Sequence, residues 1–445
     1  MSLGVFIFRR DLRLEDNTGL IEALKVCSKV IPIFIFDNKQ RNHDYFSYNS
    51  FEFMINSLKE LDKSLKSKGS KLYVFEGDPK EVLASLKNEV GISKVFVNED
   101  YTPFSKRRDA VIKSFCEDNS ISFVSFFDLL LQRPGKVVKD NGEPYSVFTP
   151  FYNRALEFDV TMPQRNDFNN YFSESVSFTC DFPSIDSNEH IAVKGGRKEA
   201  FELLESAKDI SNYSKDRDFP IVKGTTLLSA HHKFGTLSIR ESYYFIKENI
   251  GSEALLRELY WRDFYTHLAF FNPEVFGHNF KRKYDVISWN ENKELLESWK
   301  KGMTGFPIVD AGMRQLNSTG YMHNRVRMIV SSFLTKNLLI DWKEGEKYFA
   351  QKLVDYDPCV NNGSWQWAAS TGADAQPYFR IFNPWSQGEK FDKDAKYIKK
   401  WVEELKHEDP KVIHNAFKHK IIDYPGPIID YKESRKIALE EFKKA

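Results

Sequence analysis

Three stretches of this 445-residue chain hold residue types able to bind anions, stack on flat rings and carry charge. In the first, Tyr213, Arg217 and the run Gly224-Thr225-Thr226-Leu227-Leu228-Ser229 precede a helical segment. Hydroxyls clustered where a helix opens donate to phosphate oxygens, helped by the free amides of the helix start. The same residues also serve as plain helix caps. His231 and His232 follow, with no partner at metal-ligand spacing, and read as surface or capping side chains; no metal site is expected. In the second stretch, Glu258 and Trp261 stand three residues apart and share one helix face. A carboxylate beside an indole can bond and stack on a base, and an amphipathic helix with a packed tryptophan gives the same pattern. The third stretch is the densest. It runs through Met322-His323-Asn324-Arg325-Val326-Arg327-Met328, then Trp342, then Asp355-Tyr356-Asp357-Pro358, then Asn361-Asn362-Gly363-Ser364-Trp365-Gln366-Trp367. Arg327 and Asp355 suit an ion pair, and Asn-Asn-Gly suits a turn. Two tryptophans flanking a glutamine are an unusual way to build a loop.

Something must hold these stretches together, and the chain divides into two kinds of segment. Apolar runs at Gly4–Phe8, Val30–Phe36, Lys71–Glu76, Lys94–Asn98 and Ile121–Phe126 alternate with amphipathic stretches, the pattern of a parallel sheet covered by helices. Ile55, Leu58, Leu61 and Leu65 mark one crossover helix that Gly69 stops. Another opens at Asp78-Pro79, where Asp caps and Pro fits the first turn, and ends at Gly91. No Gly-x-Gly-x-x-Gly follows the first strand, so this Rossmann-like sheet lacks the usual dinucleotide fingerprint. Periodicity fades from about Leu129 to Lys194, where prolines and glycines recur. After Gly195-Gly196 only helical patterns appear, as at Glu253–Phe271 and Arg325–Leu339. The expected fold class is α/β plus all-α: an α/β domain over residues 1–128, a linker over 129–194 and a helical domain over 195–445.

Composition excludes more than it selects. With 41% hydrophobic and 29% charged residues and no long apolar run, no membrane span is expected. The start of the chain lacks signal-peptide character, so an intracellular, cytoplasmic protein is expected. Net charge is +1, so binding to nucleic acid would need a local basic patch. Cys27, Cys116, Cys180 and Cys359 show no disulfide or zinc spacing.

The three stretches, in this order after Phe8-Arg9-Arg10-Asp11-Leu12-Arg13, resemble the photolyase and cryptochrome family. The most specific runs are Asn317-Ser-Thr-Gly-Tyr-Met-His-Asn-Arg-Val-Arg-Met328, Asn361-Asn-Gly-Ser-Trp-Gln-Trp367 and Arg380-Ile-Phe-Asn-Pro384. The likeness covers nearly the whole chain and is greatest to class I cyclobutane pyrimidine dimer photolyases. It implies an antenna-type α/β domain, a linker, and a helical domain that binds FAD, used as the reduced anion. Tyr213, Thr225, Thr226, Leu227, Leu228 and Ser229 match residues around the FAD phosphates. Asp355, Tyr356, Asp357 and Asn361 match its ribityl and ring contacts, with Arg327 against the ring. Glu258, Trp261, Asn324, Met328 and Trp367 match the wall of a cavity for a flipped-out dimer, and Arg217, Arg325 and Gln387 match contacts to the damaged strand. Trp365, Trp342 and Trp289 match a tryptophan relay for photoreduction. The implied activity is light-driven repair of dimers in DNA by a monomer. A signalling cryptochrome is the alternative, disfavoured by Asn361 and by the lack of a long tail. Asn324 and Met328 stand where enzymes for the (6-4) lesion carry histidines. Phe104 and Ser105 replace the usual folate clamp, so a second chromophore, if present, is expected to be a flavin or deazaflavin.

Overall fold

The computed structural model describes residues 2–38, 43–210 and 212–445. Its first part is a five-stranded sheet of β1 (Leu3–Ile7), β2 (Lys29–Phe36), β3 (Tyr73–Glu76), β4 (Lys94–Asn98) and β5 (Ser122–Phe126). The spatial order is β3-β2-β1-β4-β5 and every pairing is parallel, so the order reverses beside β1. Crevices at such a reversal, beyond the carboxyl ends of the strands, favour ligands. The crossovers are α1 (Thr18–Val26), α2 (Tyr48–Ser67), α3 (Pro79–Val90) and α4 (Pro103–Asp118). Asp78 caps α3 through the Lys80 amide, and Gly91 ends it at φ 72°, as the sequence signals predict.

The stretch 129–194 contains one short helix, α5 (Phe148–Ala155), and runs back along β2, where Tyr171 bridges to Val30. From Arg197 onward the described residues form helices and loops without a strand. Among the described residues no helix is long and apolar enough to cross a membrane.

Buried ion pairs clamp the two parts together. Arg13 meets Asp128 at 2.6 Å, and Arg240 reaches both Asp16 at 2.9 Å and Asp128 at 2.8 Å. All four side chains are at most 5% exposed, so removing one partner would strand a buried charge. Arg10 makes a second bridge, from Asp100 beyond β4 at 3.3 Å to Asp357 of the helical part.

His231 and His232 correct the sequence reading. Neither is a surface side chain: His231 is fully buried and bonded to Thr236 at 2.8 Å, and His232 is bonded to Ser242 at 2.7 Å. Among the described residues no cluster of three metal-ligating side chains occurs.

Candidate functional site

The floor of the site is a polar cluster drawn from three segments. Arg327 donates to Asp355 at 2.9 and 3.2 Å and to the Met322 carbonyl at 2.7 Å, and Ser229 donates to the same Asp355 at 2.6 Å. The expected ion pair therefore forms, and it ties the phosphate-type loop to it. That loop, Thr225–Leu228, turns at Leu227 with φ 56°, and Ser229 opens the helix Ser229–Phe234. Tyr213 is buried at the head of the short helix Tyr213–Asp216.

Asn361 is where the sequence misleads. Asn361, Asn362 and Gly363 lie inside the helix Pro358–Ala369 and form no turn. Asp357 caps this helix by accepting from the amides of Cys359 at 3.0 Å and Val360 at 3.3 Å, and Pro358 fits its first turn. Gly363 is needed for close approach, since a Cβ there would fall 2.2 Å from the Tyr265 ring. Asn361 is 8% exposed, and its side-chain N–H groups donate to the Glu346 backbone carbonyl at 3.1 Å and to the Glu346 carboxylate at 2.9 Å. Glu346, unmarked in the sequence, thus orients this amide. Asp357 is engaged by its cap and by Arg10, and Tyr356, grouped with the FAD contacts in the sequence, turns toward Glu346 and Tyr45 in a separate cavity.

The residues matched to the dimer cavity and the damaged strand come from several helices. Glu258, on the helix Glu253–Phe271, pairs with Arg217 at 2.6 Å; burial raises its pKa and the Arg217 charge opposes the rise. Trp261, one turn on, stacks flat on Phe148 of α5 at 3.7 Å. Asn324 is exposed at the start of the helix Asn324–Ser332, and Met328 is half-buried one turn later. Arg325 pairs with Asp218 at 2.6 Å and lies 4.4 Å from the Phe391 ring, on the helix Pro384–Phe391 that also carries half-buried Gln387. Trp367 is half-buried on the Asn361 helix.

The three tryptophans matched to a relay share one core: Trp342 and Trp365 are buried within it and Trp289 packs against its edge. Among the described residues no ring contact joins them directly. Trp365 meets Phe349 at 4.9 Å and Trp299 at 6.1 Å, while Trp289 meets Phe442 at 6.1 Å. Trp299, fully buried, is an indole that the sequence reading passed over.

Two family models match the chain: DNA photolyase over residues 4–166 and the FAD binding domain of DNA photolyase over residues 255–444. A deoxyribodipyrimidine photo-lyase of Alkalihalophilus pseudofirmus is 38% identical over 99% of this chain and 98% of its own length. The chain belongs to the DNA photolyase family. An archaeal photolyase from Sulfolobus tokodaii, solved with two FAD molecules, is 47% identical and superposes with a TM-score of 0.92 over all of both chains. A class III photolyase from Agrobacterium tumefaciens, 34% identical, gives the same TM-score over 100% of this chain and 98% of that one, so fold likeness alone does not select a class.

The floor residues suit the FAD of this family. Thr225 and Thr226 offer hydroxyls beside a helix start, Ser229 gives its proton to Asp355, and Arg327 is a cation fixed by the same Asp355. Asn361 presents a neutral amide that Glu346 positions. His323, whose Nε2 is buried without a hydrogen-bond partner, stands between the Arg325 and Arg327 charges.

Proposed function

We propose that this protein repairs cyclobutane pyrimidine dimers in DNA, by light-driven electron transfer from reduced FAD to a dimer flipped out of the helix. FAD supplies the light absorption and the electron. The chain's own residues bind, orient and exclude water. Arg327, held by Asp355, places a positive charge that favours an anionic ring. Glu258, with Trp261, Asn324, Met328 and Trp367, receives the lesion, and Arg217 with Arg325 and Gln387 meets the damaged strand. A dimer stacks and pairs poorly, so extruding it costs less than flipping an intact base, at most a few kcal/mol.

The observation that carries this reading is the Glu258–Arg217 pair standing with Asn324 and Met328 in a chain whose full-length relatives are named deoxyribodipyrimidine photo-lyases. Asn324 and Met328 favour the cyclobutane lesion and the class I type. Trp365, Trp342 and Trp289 serve as the route for photoreduction, and the protein works as a monomer in the compartment that holds the DNA. Illuminating the reduced protein with dimer-containing DNA should restore thymine absorbance, with no repair of a (6-4) substrate. Absence of recovery on the dimer would overturn the reading in favour of a photoreceptor.

A second chromophore fits the cavity of about 600 Å³ beyond β1, β2 and β4, lined by Phe36, Phe46, Phe51, Met54 and Lys233 among others. Phe104 and Ser105 border it where a folate clamp would stand, and the Sulfolobus relative contains two FAD molecules. A flavin-type antenna is the reading these favour.

A further inference from the structure

The two arginines matched to the damaged strand already hold counter-ions: Arg217 is paired with Glu258 and Arg325 with Asp218, each at 2.6 Å. A chain with a net charge of +1 has no general excess with which to attract DNA. Attraction then depends on cations that remain free near the dimer cavity.

Arg257 is such a cation. It precedes Glu258 on the helix Glu253–Phe271 and stands four residues before Trp261, so Arg257 and Trp261 share one face of that helix. Both meet α5 through the same ring. Trp261 stacks flat on Phe148 at 3.7 Å, while the Arg257 guanidinium lies 5.2 Å from the Phe148 centroid and 4.6 Å from that of Tyr152. Contacts of this kind hold a planar cation in place without neutralising it.

The charge stays uncompensated. Among the described residues Arg257 makes no ion pair and no hydrogen bond. The side chain is half-buried, yet none of its nitrogens is sealed from water, so all three can meet a partner arriving from solvent. The acids around it are engaged elsewhere. Glu253, one turn earlier, lies toward the Tyr152 hydroxyl: burial holds that phenol above its usual range, the Glu253 charge adds to this, and Arg257 opposes it. Asp374 accepts from the Phe148 amide at 3.3 Å. Glu258 is claimed by Arg217; burial raises its carboxyl, and Arg217 and then Arg257 lower it, so the Arg257 charge is felt at the residue matched to the lesion.

We propose that Arg257 is a further DNA-positioning residue, whose guanidinium grips a phosphate of the damaged strand at the α5 edge of the dimer cavity. This rests on the dimer-cavity reading above and adds a contact that holds the strand while Glu258 meets the lesion. The rings of Phe148 and Tyr152 restrict the side chain before DNA arrives, so less conformational freedom is lost when phosphate oxygens accept from it. Such a contact fixes register and carries no base preference.

The test is binding of the purified holoprotein, in the dark, to a duplex with one cyclobutane dimer and to the same duplex undamaged, over a series of salt concentrations. Arg257→Gln should weaken binding several-fold at low salt and reduce the slope of log affinity against log salt by about one. Arg257→Lys keeps the charge and should restore most of the slope. In repair assays Arg257→Gln should raise the DNA concentration needed for half-maximal repair more than it lowers the yield per photon. A salt slope in Arg257→Gln equal to that of the parent protein, even with a lower melting temperature, would make Arg257 a packing residue and overturn the proposal. Failure of Arg257→Lys to restore the slope would do the same. Equal affinity of the parent protein for the two duplexes would instead overturn the dimer-cavity reading, and the slope comparison on either duplex still decides Arg257.

Discussion

Glu258 is pulled two ways: burial raises its pKa, and Arg217 at 2.6 Å holds it charged. A carboxyl poised in this way can accept from a base edge or, once protonated, donate to one. Glu258→Ala should therefore lower the repair yield per photon roughly tenfold, the scale of one charged hydrogen bond, with FAD content unchanged. Co-purified FAD and repair yield measured on the same preparation check this; loss of FAD would make Glu258 a structural residue. The Arg327–Asp355 pair was legible because both residues stand in dense local motifs. Glu346 was not, since it meets Asn361 across 15 residues and two helices, and nothing in its own neighbourhood marks it. Trp299 was passed over for the same reason, as a buried indole looks like any core residue until its neighbour Trp365 is seen.

At the scale of elements, the helix Pro358–Ala369 decides which side chains face inward. Glycine and paired asparagines suggested a turn, but capping by Asp357, Pro358 in the first turn and packing against Tyr265 outweigh local propensity. The sheet, by contrast, was readable almost to the residue, because five apolar runs separated by capped amphipathic helices admit few other arrangements. The preceding helix, Trp342–Lys352, approaches Trp365 so closely that a Cβ at Gly345 would lie 2.1 Å from its ring and 2.6 Å from Leu334. Gly345→Ala gains up to about 1 kcal/mol of helix propensity but must displace that indole, at a cost of about 1–3 kcal/mol. It should lower the melting temperature and slow photoreduction of oxidised flavin. Trp365→Phe, which opens space and removes the indole, should slow photoreduction while leaving repair by chemically reduced protein nearly intact. Flash photoreduction and thermal melts on both variants separate packing from electron transfer, and equal loss of photoreduction and repair in Trp365→Phe would sink the relay.

The whole molecule carries an acid liability in its interior. Burial holds His231 and His232 down to about 3, and His267 and His323 down to about 4, so all four are neutral in the folded chain where an unfolded histidine titrates near 6.5. Below that value the unfolded state binds four more protons, and stability falls as pH falls. Buried carboxyls oppose this: burial raises Asp11 to about 6 and Asp263 to about 7, and it also raises Glu258, Asp310, Asp341, Glu346 and Asp392, so the folded chain keeps protons there that the unfolded chain releases. Near pH 5 each neutral buried histidine therefore favours the unfolded state by about 1.4 kcal/mol per pH unit, and the raised carboxyls offset part of this. On the alkaline side Lys233, lowered to about 7 chiefly by burial, adds a gain of one proton's worth of stability per unit as pH rises from about 7 toward its unfolded value near 10.5. Protonation of these histidines should thus weaken the holoprotein between pH 6 and 4. It should release FAD over the same range, since His231 and His232 lie just past the Ser229 loop and His323 just before the Arg327 helix. His267→Gln should flatten the slope by about one proton, about 1.4 kcal/mol per unit, without shifting FAD affinity at neutral pH, because His267 bonds the Gln132 carbonyl far along the chain from the floor. Melting curves and FAD fluorescence across that range measure both quantities, and a pH slope in His267→Gln equal to that of the parent protein would contradict the buried-histidine account.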